Sequence, residues 1–407
     1  MPKVVVVGAG MAGMEAAREA LVRGADVTVV DQSERVEPPW RAWPDLIGVA
    51  PWSGPSGASA SHESEVPVEL GTKVVSVGPD QATTASGATL RADATVVVTG
   101  TSNGSPGIHG IGKRGSYFLD AAYKYEQLGR SVSDSGRVVV AGEGVRGLEV
   151  AERLATGGRK VMLIASCWAS GAPGADAMAA IATGASERGV SLRAGRASRV
   201  VGQGKVEAMV ADGEVIPCDT FVQVPVRRPR VVSLPARLGR SGGIVVDAFL
   251  RTESKTVYAA GGCAEPPGWS SPGGIPGSPA ASGRVAGANA MGGEVRFHPG
   301  RSFSSVIFGL SWFRHGPPIA TLRARGGLVT VTSKRDTCSV CGIAYDRRGR
   351  VVSVETVGKF SPDPGALPWS IPEGSTLASL AYGPLGSTDI SLVSDTARLG
   401  LKSWSGY

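Results

Sequence analysis

The chain contains two copies of one segment, and this repeat restricts the folds that it can adopt. Val4–Asp31 has the sequence VVVVGAGMAGMEAAREALVRGADVTVVD, and Val138–Ala165 has the sequence VVVAGEGVRGLEVAERLATGGRKVMLIA. From Gly13 onward, which matches Gly147, the two copies align without a gap. Agreement over a stretch of this length predicts two βαβ units of the same kind.

Each copy places a glycine motif between an apolar run and a predicted helix. A continuous apolar run is typical of a parallel strand that is buried on both faces. In such a unit the glycines allow a tight turn, close approach of a pyrophosphate, and close packing of the helix on the strand. The N-terminal amides of the helix attract the phosphates. The motif glycines are Gly8, Gly10 and Gly13 in the first copy and Gly142, Gly144 and Gly147 in the second.

The two copies differ where their second strand ends. Asp31 ends the first copy, at the position where an acid accepts hydrogen bonds from ribose hydroxyls, whereas Ala165 ends the second. The first copy therefore predicts a dinucleotide site. The second either binds a dinucleotide or only joins a strand to a helix. Arg146 in its motif either pairs with a pyrophosphate or is a solvated residue at the start of the helix.

Two such units in one chain resemble the pyridine nucleotide-disulfide oxidoreductase superfamily, whose members bind FAD at the first unit and NAD(P)H at the second. Ala92–Gly100 is similar to the family's strand and glycine crossover, and Gly243–Cys263 is similar to its strand returning to the flavin. Pro279–Asn289 is similar to the helix whose N-terminus abuts the flavin ring. Residues 296–407 more weakly resemble the interface domain of the NADH oxidase and ferredoxin reductase branch.

The resemblance implies an α/β fold with two Rossmann-like dinucleotide-binding domains, the FAD domain being split by an NAD(P)-type domain. A C-terminal α+β interface domain follows, which implies a homodimer. The expected boundaries are residues 1–108 and 236–295 for the two parts of the FAD domain, 109–235 for the NAD(P)-binding-like domain, and 296–407 for the interface domain.

The function that the resemblance implies is an FAD-dependent oxidoreductase, which takes hydride from NAD(P)H and passes electrons to a small molecule or a redox protein. The sequence leaves open whether NADH, NADPH or neither is used, and it identifies no catalytic acid or base. The residues expected at the cofactors are Gly8, Gly10, Met11, Ala12, Gly13, Asp31, Gly100, Gly142, Gly144, Gly147, Gly261, Gly262, Cys263 and Ala280.

One departure from the family concerns the flavin. The family's return strand ends in Gly-Asp, whose aspartate binds the ribityl chain, whereas this chain has Gly261 and Gly262. A lost bond of this kind costs about 1.5–3 kcal/mol if its partner stays unpaired. Either water or Glu265 replaces the carboxylate, or FAD is held weakly. With Ala165, this departure also supports an alternative function, a degenerate binding or structural subunit without catalytic activity.

The cysteines limit the redox chemistry. The chain has five cysteines, and the first of them is Cys167. The disulfide-using members of the family place a thiol near the flavin early in the chain, so the sequence excludes their mechanism. A sulfide- or quinone-linked flavoprotein using Cys167, Cys338 or Cys341 remains an alternative. Cys263 is either a thiol near the flavin or a small packed residue.

The C-terminal residues are predicted to form strands. Gly327–Ser333 and Arg350–Val357 show strand patterns, with a hairpin-like turn at Arg347–Arg350, and Thr337–Tyr345 also resembles a strand. Side chains three apart on a strand point to opposite faces. Cys338 and Cys341 are therefore expected to be ordinary buried residues, with a redox dithiol as the alternative. We predict no metal site, because tetrahedral zinc has weak support in this sequence.

Charge and hydropathy exclude several other classes of protein. Lysine and arginine number 42 against 35 acids, but the basic residues are scattered, so we expect no nucleic-acid partner. No window approaches 18 uncharged apolar residues, and the N-terminus lacks the core of a signal peptide. The expectation is a cytoplasmic protein with no transmembrane segment.

Overall fold

The computed structural model describes most of the chain. The described residues are 1–34, 66–104, 107–120, 122–132, 136–166, 175–267, 279–298, 302–317, 319–324, 326–334, 339–359 and 375–376. Cys167 and Cys338, on which the sulfide-linked alternative partly depends, lie outside these residues.

Strands and helices alternate along most of the chain. The helices are α1 (Met11–Val22), α2 (Ala122–Ser131), α3 (Gly144–Ala155), α4 (Ala175–Glu187), α5 (Pro279–Ala290) and α6 (Ile319–Ala324). The strands are β1 (Lys3–Val7), β2 (Asp26–Val30), β3 (Val68–Glu69), β4 (Val74–Val77), β5 (Gln81–Thr84), β6 (Thr89–Arg91), β7 (Ala94–Val97), β8 (Thr101–Asn103), β9 (Ser116–Phe118), β10 (Arg137–Ala141), β11 (Lys160–Ala165), β12 (Val190–Ala194), β13 (Ala197–Val201), β14 (Ala208–Ala211), β15 (Glu214–Pro217), β16 (Thr220–Gln223), β17 (Arg227–Pro229), β18 (Ile244–Val245), β19 (Val257–Ala259), β20 (Ala264–Glu265), β21 (Ser302–Ile307), β22 (Leu310–His315), β23 (Leu328–Lys334), β24 (Ser339–Tyr345) and β25 (Val351–Gly358).

The chain forms two compact units, and the first contains Met1–Ala42, Gly57–Ser105 and Val226–Gly300. Its main sheet is parallel and five-stranded, in the order β19-β7-β1-β2-β3. The central strand β1 is buried from Val4 to Val7, as expected of a parallel strand covered on both faces. The order reverses on either side of β1, and ligands of such sheets bind at the carboxyl ends of the strands at this switch point.

Helices α1 and α5 pack unusually closely in the first unit. A β-carbon on Gly283 would overlap the carbonyl oxygen of Ala12, and one on Gly287 would overlap that of Ala16. Glu15 of α1 adds a salt bridge to Arg284 of α5 at 2.6 Å. The two glycines therefore let the start of α5 lie directly against the first turns of α1.

The second unit contains Trp43–Ser56, Pro106–Pro225 and Arg301–Tyr407. It has a second five-stranded parallel sheet, in the order β12-β11-β10-β16-β9, and an antiparallel sheet in the order β21-β22-β25-β24-β23. Leu154 of α3, Ile181 of α4 and Trp312 of β22 belong to one buried cluster, so these sheets share a hydrophobic core.

This architecture confirms the fold class that the sequence predicts, with two Rossmann-like sheets and a C-terminal α+β part. The C-terminal strands are also confirmed as β23, β24 and β25. The division into domains at residues 108, 235 and 295 stays a prediction. In the structure, the C-terminal sheet belongs to the same compact unit as the second Rossmann-like sheet. Among the helices that the structure describes, none is long and apolar enough to cross a bilayer.

The close packing of α5 on α1 predicts an unusual effect of Gly283→Ala. Helix propensity alone favours alanine by about 1 kcal/mol. Because the new methyl group would collide with the backbone of Ala12, we expect instead a net loss of about 1–3 kcal/mol of unfolding free energy. Denaturant unfolding of the purified protein measures this loss. Ala281→Val, at an exposed position of the same helix, is the control and should stay within about 0.7 kcal/mol of the wild type.

Candidate functional site

The loop between β1 and α1 is shaped by two glycines with backbone contacts. Gly8 has a φ of +119°, and a β-carbon there would overlap the carbonyl oxygen of Val98. A β-carbon on Gly13 would overlap the carbonyl oxygen of Gly8. Any larger residue at either position would therefore push the helix away from the turn and from the neighbouring strand.

Gly10 has a different role in the same loop. It is the N-cap residue of α1, with a φ of −70° that any residue can adopt, and a β-carbon on it would meet no atom within 4 Å. Neither backbone conformation nor packing within the protein therefore requires a glycine here. The open space lies at the N-terminus of α1, beside Met11, which is 38% exposed. A helix N-terminus of this kind favours anions.

Asp31 directly follows β2 and faces this loop. Its Oδ2 accepts a hydrogen bond from the Ala9 backbone amide at 2.7 Å, and its Oδ1 accepts one from the Ser33 amide at 2.8 Å. The backbone amide of Gly8 donates to the Val30 carbonyl at 2.8 Å, which fixes the loop at the end of β2. The strand-end carboxylate and the glycine turn are therefore held together.

Three further segments of the first unit meet near the start of α1. Gly100, with a φ of +69°, ends the crossover after β7. The backbone amide of Gly261 donates to Ser282 Oγ of α5 at 3.1 Å, and a β-carbon on Gly261 would lie 3.0 Å from the β-carbon of Ala12. Ala280 lies half-buried in the first turn of α5.

The structure shows what surrounds Gly262, where the family carries an acid. A β-carbon on Gly262 would lie 2.7 Å from Cγ2 of Thr101. Thr101 is held in place, because its Oγ1 accepts a hydrogen bond from Nε of Arg227 at 2.5 Å. An aspartate at this position would therefore require Thr101 to move. Thr101 therefore occupies part of the space that the family's carboxylate side chain would need.

Glu265 does not replace the missing acid. Its buried carboxylate accepts hydrogen bonds from the backbone amides of Arg240 and Ser241, each at 3.0 Å, and from the Ser241 hydroxyl. These bonds hold the carboxylate within the turn that precedes β18. Two of the alternatives at Gly262 remain: water takes the place of the carboxylate, or FAD is held weakly.

The second glycine loop repeats two contacts of the first but not its torsions, because Gly8 has a positive φ and the corresponding Gly142 does not. The amide of Gly142 donates to the Ile164 carbonyl at 3.1 Å, which corresponds to the bond between Gly8 and Val30. A β-carbon on Gly147 would lie 2.9 Å from the Gly142 carbonyl carbon. Gly144 has a φ of +61° at the start of α3.

The side chains of the second loop differ from those of the first. Glu143 takes the place of Ala9, and its Oε1 accepts a hydrogen bond from the hydroxyl of Ser166, which directly follows β11. Arg146 is half-buried, and its Nη1 donates to the Tyr125 hydroxyl at 3.2 Å. Arg146 is therefore not a fully solvated residue at the start of the helix.

The described cysteines are packing residues. Cys263 is fully buried, and its thiol lies 3.4 Å from the Val97 carbonyl oxygen and 3.3 Å from that of Ala260. Burial raises the pKa of Cys263, and burial together with Asp219 raises the pKa of Cys218 to about 12. Cys341 is buried within β24. Thiolate formation is therefore unfavourable at Cys218 and Cys263. Of the two alternatives for Cys263, the structure supports the small packed residue.

The similarity to known proteins covers both glycine loops. The family model described as pyridine nucleotide-disulphide oxidoreductase matches residues 2–284. The chain belongs to this family. This result confirms the resemblance that the repeat and the return strand indicate, and proteins of the family depend on FAD.

Individual relatives in the family are distant. An NADH oxidase of Streptococcus pyogenes serotype M6 is 28% identical over 304 residues, which are 65% of this chain and 64% of that protein. Rhodocoxin reductase of Rhodococcus erythropolis is 26% identical over 283 residues, 65% of each chain. The chain thus matches slightly less than two thirds of the length of each relative. The solved structure of an NAD-dependent persulfide reductase from A. fulgidus has a TM-score of 0.84 at 22% identity, covering 99% of this chain and 84% of that one.

The sequence motifs identify all six loop glycines and Asp31, but they do not identify three further residues that lie at the candidate sites. Glu143 carried a signal, because it interrupts the second motif where the first has alanine. Thr101 and Arg227 carried none, because their contact joins segments far apart in the chain. No group of three or more potential metal ligands occurs in the part of the chain that the structure describes.

The burial of the cysteines predicts their reactivity. In a Cys167→Ser/Cys338→Ser variant, Cys218, Cys263 and Cys341 should not react with a thiol reagent at pH 8 in the native state. The reason is that the thiolate is the reactive form, and burial of Cys218 and Cys263 raises the pKa. Spectrophotometric titration before and after denaturation should count no thiol and then all three. A rapidly reacting native thiol would contradict this account and support the cysteine-dependent alternative.

Proposed function

We propose that the protein is an FAD-dependent oxidoreductase that takes hydride from NAD(P)H and passes electrons to a small molecule or a redox protein. The observation that carries this proposal is the pair of glycine loops, in each of which the first glycine bonds to the end of the next strand and the last glycine packs on the first. The first loop also has an open space at Gly10 and a carboxylate at Asp31. Two loops of this kind fit one chain that binds two dinucleotides.

The residues of the first unit fit FAD. The amides at the start of α1 would bind the pyrophosphate beside Gly10, and the Asp31 carboxylate would accept hydrogen bonds from the ribose of the ADP part. Gly100, Gly261, Gly262 and the first turn of α5 at Ala280 would surround the flavin part. When bound, FAD supplies the hydride acceptor and electron donor chemistry.

The region around Gly262 modifies this fit. No carboxylate side chain is present at this position, and Thr101 occupies the adjacent space. The affinity for FAD would therefore depend more on the ADP part of the site than in a protein with an aspartate here. This protein should consequently lose FAD more readily during purification, and it should regain FAD when the cofactor is added.

The second loop would hold the nicotinamide dinucleotide through Gly142, Gly144 and Gly147. Because the described cysteines are buried, we propose that electrons leave the flavin directly for the acceptor, without a thiol relay. The names of two relatives, an NADH oxidase and a rhodocoxin reductase, support either a small molecule or a redox protein as acceptor. Assembly as a homodimer through the C-terminal sheet is also a proposal.

Anaerobic mixing tests the proposed reaction. The protein is saturated with FAD, freed of excess cofactor and mixed with NADH or NADPH in the absence of oxygen. Loss of the oxidised flavin absorbance, followed by its return when an acceptor is added, is the expected result. A protein that takes up no FAD would contradict the proposal and support a non-catalytic subunit, and a flavin that only sulfide reduces would support the sulfide-linked alternative.

Gly10→Ala separates cofactor binding from packing. A β-carbon at Gly10 meets no protein atom and the backbone is unstrained, so the apoprotein should lose only the N-cap preference for glycine over alanine, about 1 kcal/mol or less. FAD affinity should fall at least about tenfold, because the methyl group occupies the space where the pyrophosphate approaches the backbone. Fluorescence titration with FAD measures this change.

Gly78→Ala is the matched control for this substitution. Gly78 also lacks a positive φ, and its β-carbon would make only ordinary contacts at 3.7 Å or more. Its FAD affinity should equal that of the wild type. Unchanged FAD affinity in Gly10→Ala would show that FAD does not bind at this loop.

A further inference from the structure

The two glycine loops can be compared position by position, because their sequences align without a gap and the first glycine of each makes the same backbone bond. Gly8 bonds to the carbonyl of Val30 and Gly142 to that of Ile164. In this correspondence Ala9 matches Glu143, and Asp31 matches Ala165. The first copy has its carboxylate at the strand end, whereas the second has no acid there and has a carboxylate in the loop instead.

The first copy shows that these two positions are neighbours. The backbone amide of Ala9 donates to the Asp31 carboxylate at 2.7 Å, so the loop position lies within hydrogen-bond distance of the strand-end side chain. The backbone of Glu143, at the loop position of the second copy, is therefore expected to lie close to the space that a strand-end carboxylate would occupy.

The second copy places the Glu143 carboxylate at that end of the strand. The hydroxyl of Ser166, the residue after Ala165, donates to Glu143 Oε1. Glu143 is half-buried, and Ser166 is exposed. The bond to Ser166 directs the carboxylate towards the end of β11 and leaves lone pairs on its oxygens for further donors.

We propose that Glu143 is the ribose-binding and specificity-determining residue of the second loop, which makes this loop selective for a dinucleotide without a 2′-phosphate, such as NADH. This inference rests on the proposed function, since it presumes that the second loop binds a dinucleotide. A carboxylate accepts hydrogen bonds from ribose hydroxyls and repels the charge of a 2′-phosphate. The chain carries no acid at Ala165 to perform this role from the strand end.

Equilibrium binding to the FAD-loaded protein tests the inference without turnover. The probes are ADP-ribose and 2′-phospho-ADP-ribose, measured by calorimetry. The wild-type protein should bind ADP-ribose at least about tenfold more tightly. Glu143→Gln and Glu143→Ala should lose most of this preference, through weaker binding of ADP-ribose and tighter binding of the phosphorylated probe.

Two further variants make the test specific. Glu143→Ala/Ala165→Asp returns the carboxylate to the strand end and should restore the preference for ADP-ribose. Glu214→Gln removes an exposed carboxylate that pairs with Arg193 in the same unit, and it should bind both probes as the wild type does. All variants should keep the FAD content of the wild type.

The outcomes separate this inference from the proposed function. If the wild-type protein binds ADP-ribose but the Glu143 variants bind both probes unchanged, the inference is wrong and the proposed function stands. Tighter binding of ADP-ribose by Glu143→Ala would show that the carboxylate obstructs the loop, which also overturns the inference. If the wild-type protein binds neither probe, the inference and the proposed hydride donor are both wrong.

Discussion

The architecture of both sites depends on the contact between the last glycine of each motif and the first. Gly13 packs on the carbonyl of Gly8, and Gly147 packs on Gly142, at distances that leave no room for a side chain. This contact places the N-terminus of a helix at the carboxyl end of the central strand of its sheet. Because helix amides and strand-end side chains then face the same space, each unit has the elements of a nucleotide site before any ligand contact is considered.

The first unit has a further close contact, in which helix α5 packs on helix α1. Gly283 and Gly287 allow α5 to approach the backbone of α1, and the bond from Gly261 to Ser282 fixes the return strand at the same place. Residues far apart in the chain thus meet around the start of α1. Cys263 belongs to the buried cluster of this unit, which makes its thiol a poor redox group.

The sequence predicted those features that depend on local backbone geometry. Runs of valine, the glycine spacing and Asp31 are sufficient to predict the strand, the turn and the strand-end acid, because each is determined within one βαβ unit. The shared core of Ile181 and Trp312 was not predictable, because it joins elements distant in sequence. The contact of Thr101 with Gly262 and the bond of Ser166 to Glu143 depend on side-chain positions, so no motif carries them.

The central claim is that the two copies of the repeat bind different dinucleotides, FAD at the first and a nicotinamide dinucleotide at the second. Equilibrium dialysis of the apoprotein against FAD, with and without excess NAD⁺, tests it most directly. The account predicts one FAD for each chain, not displaced by NAD⁺, and one NAD⁺ bound in addition. Displacement of FAD by NAD⁺, or the absence of a second bound dinucleotide, would contradict it.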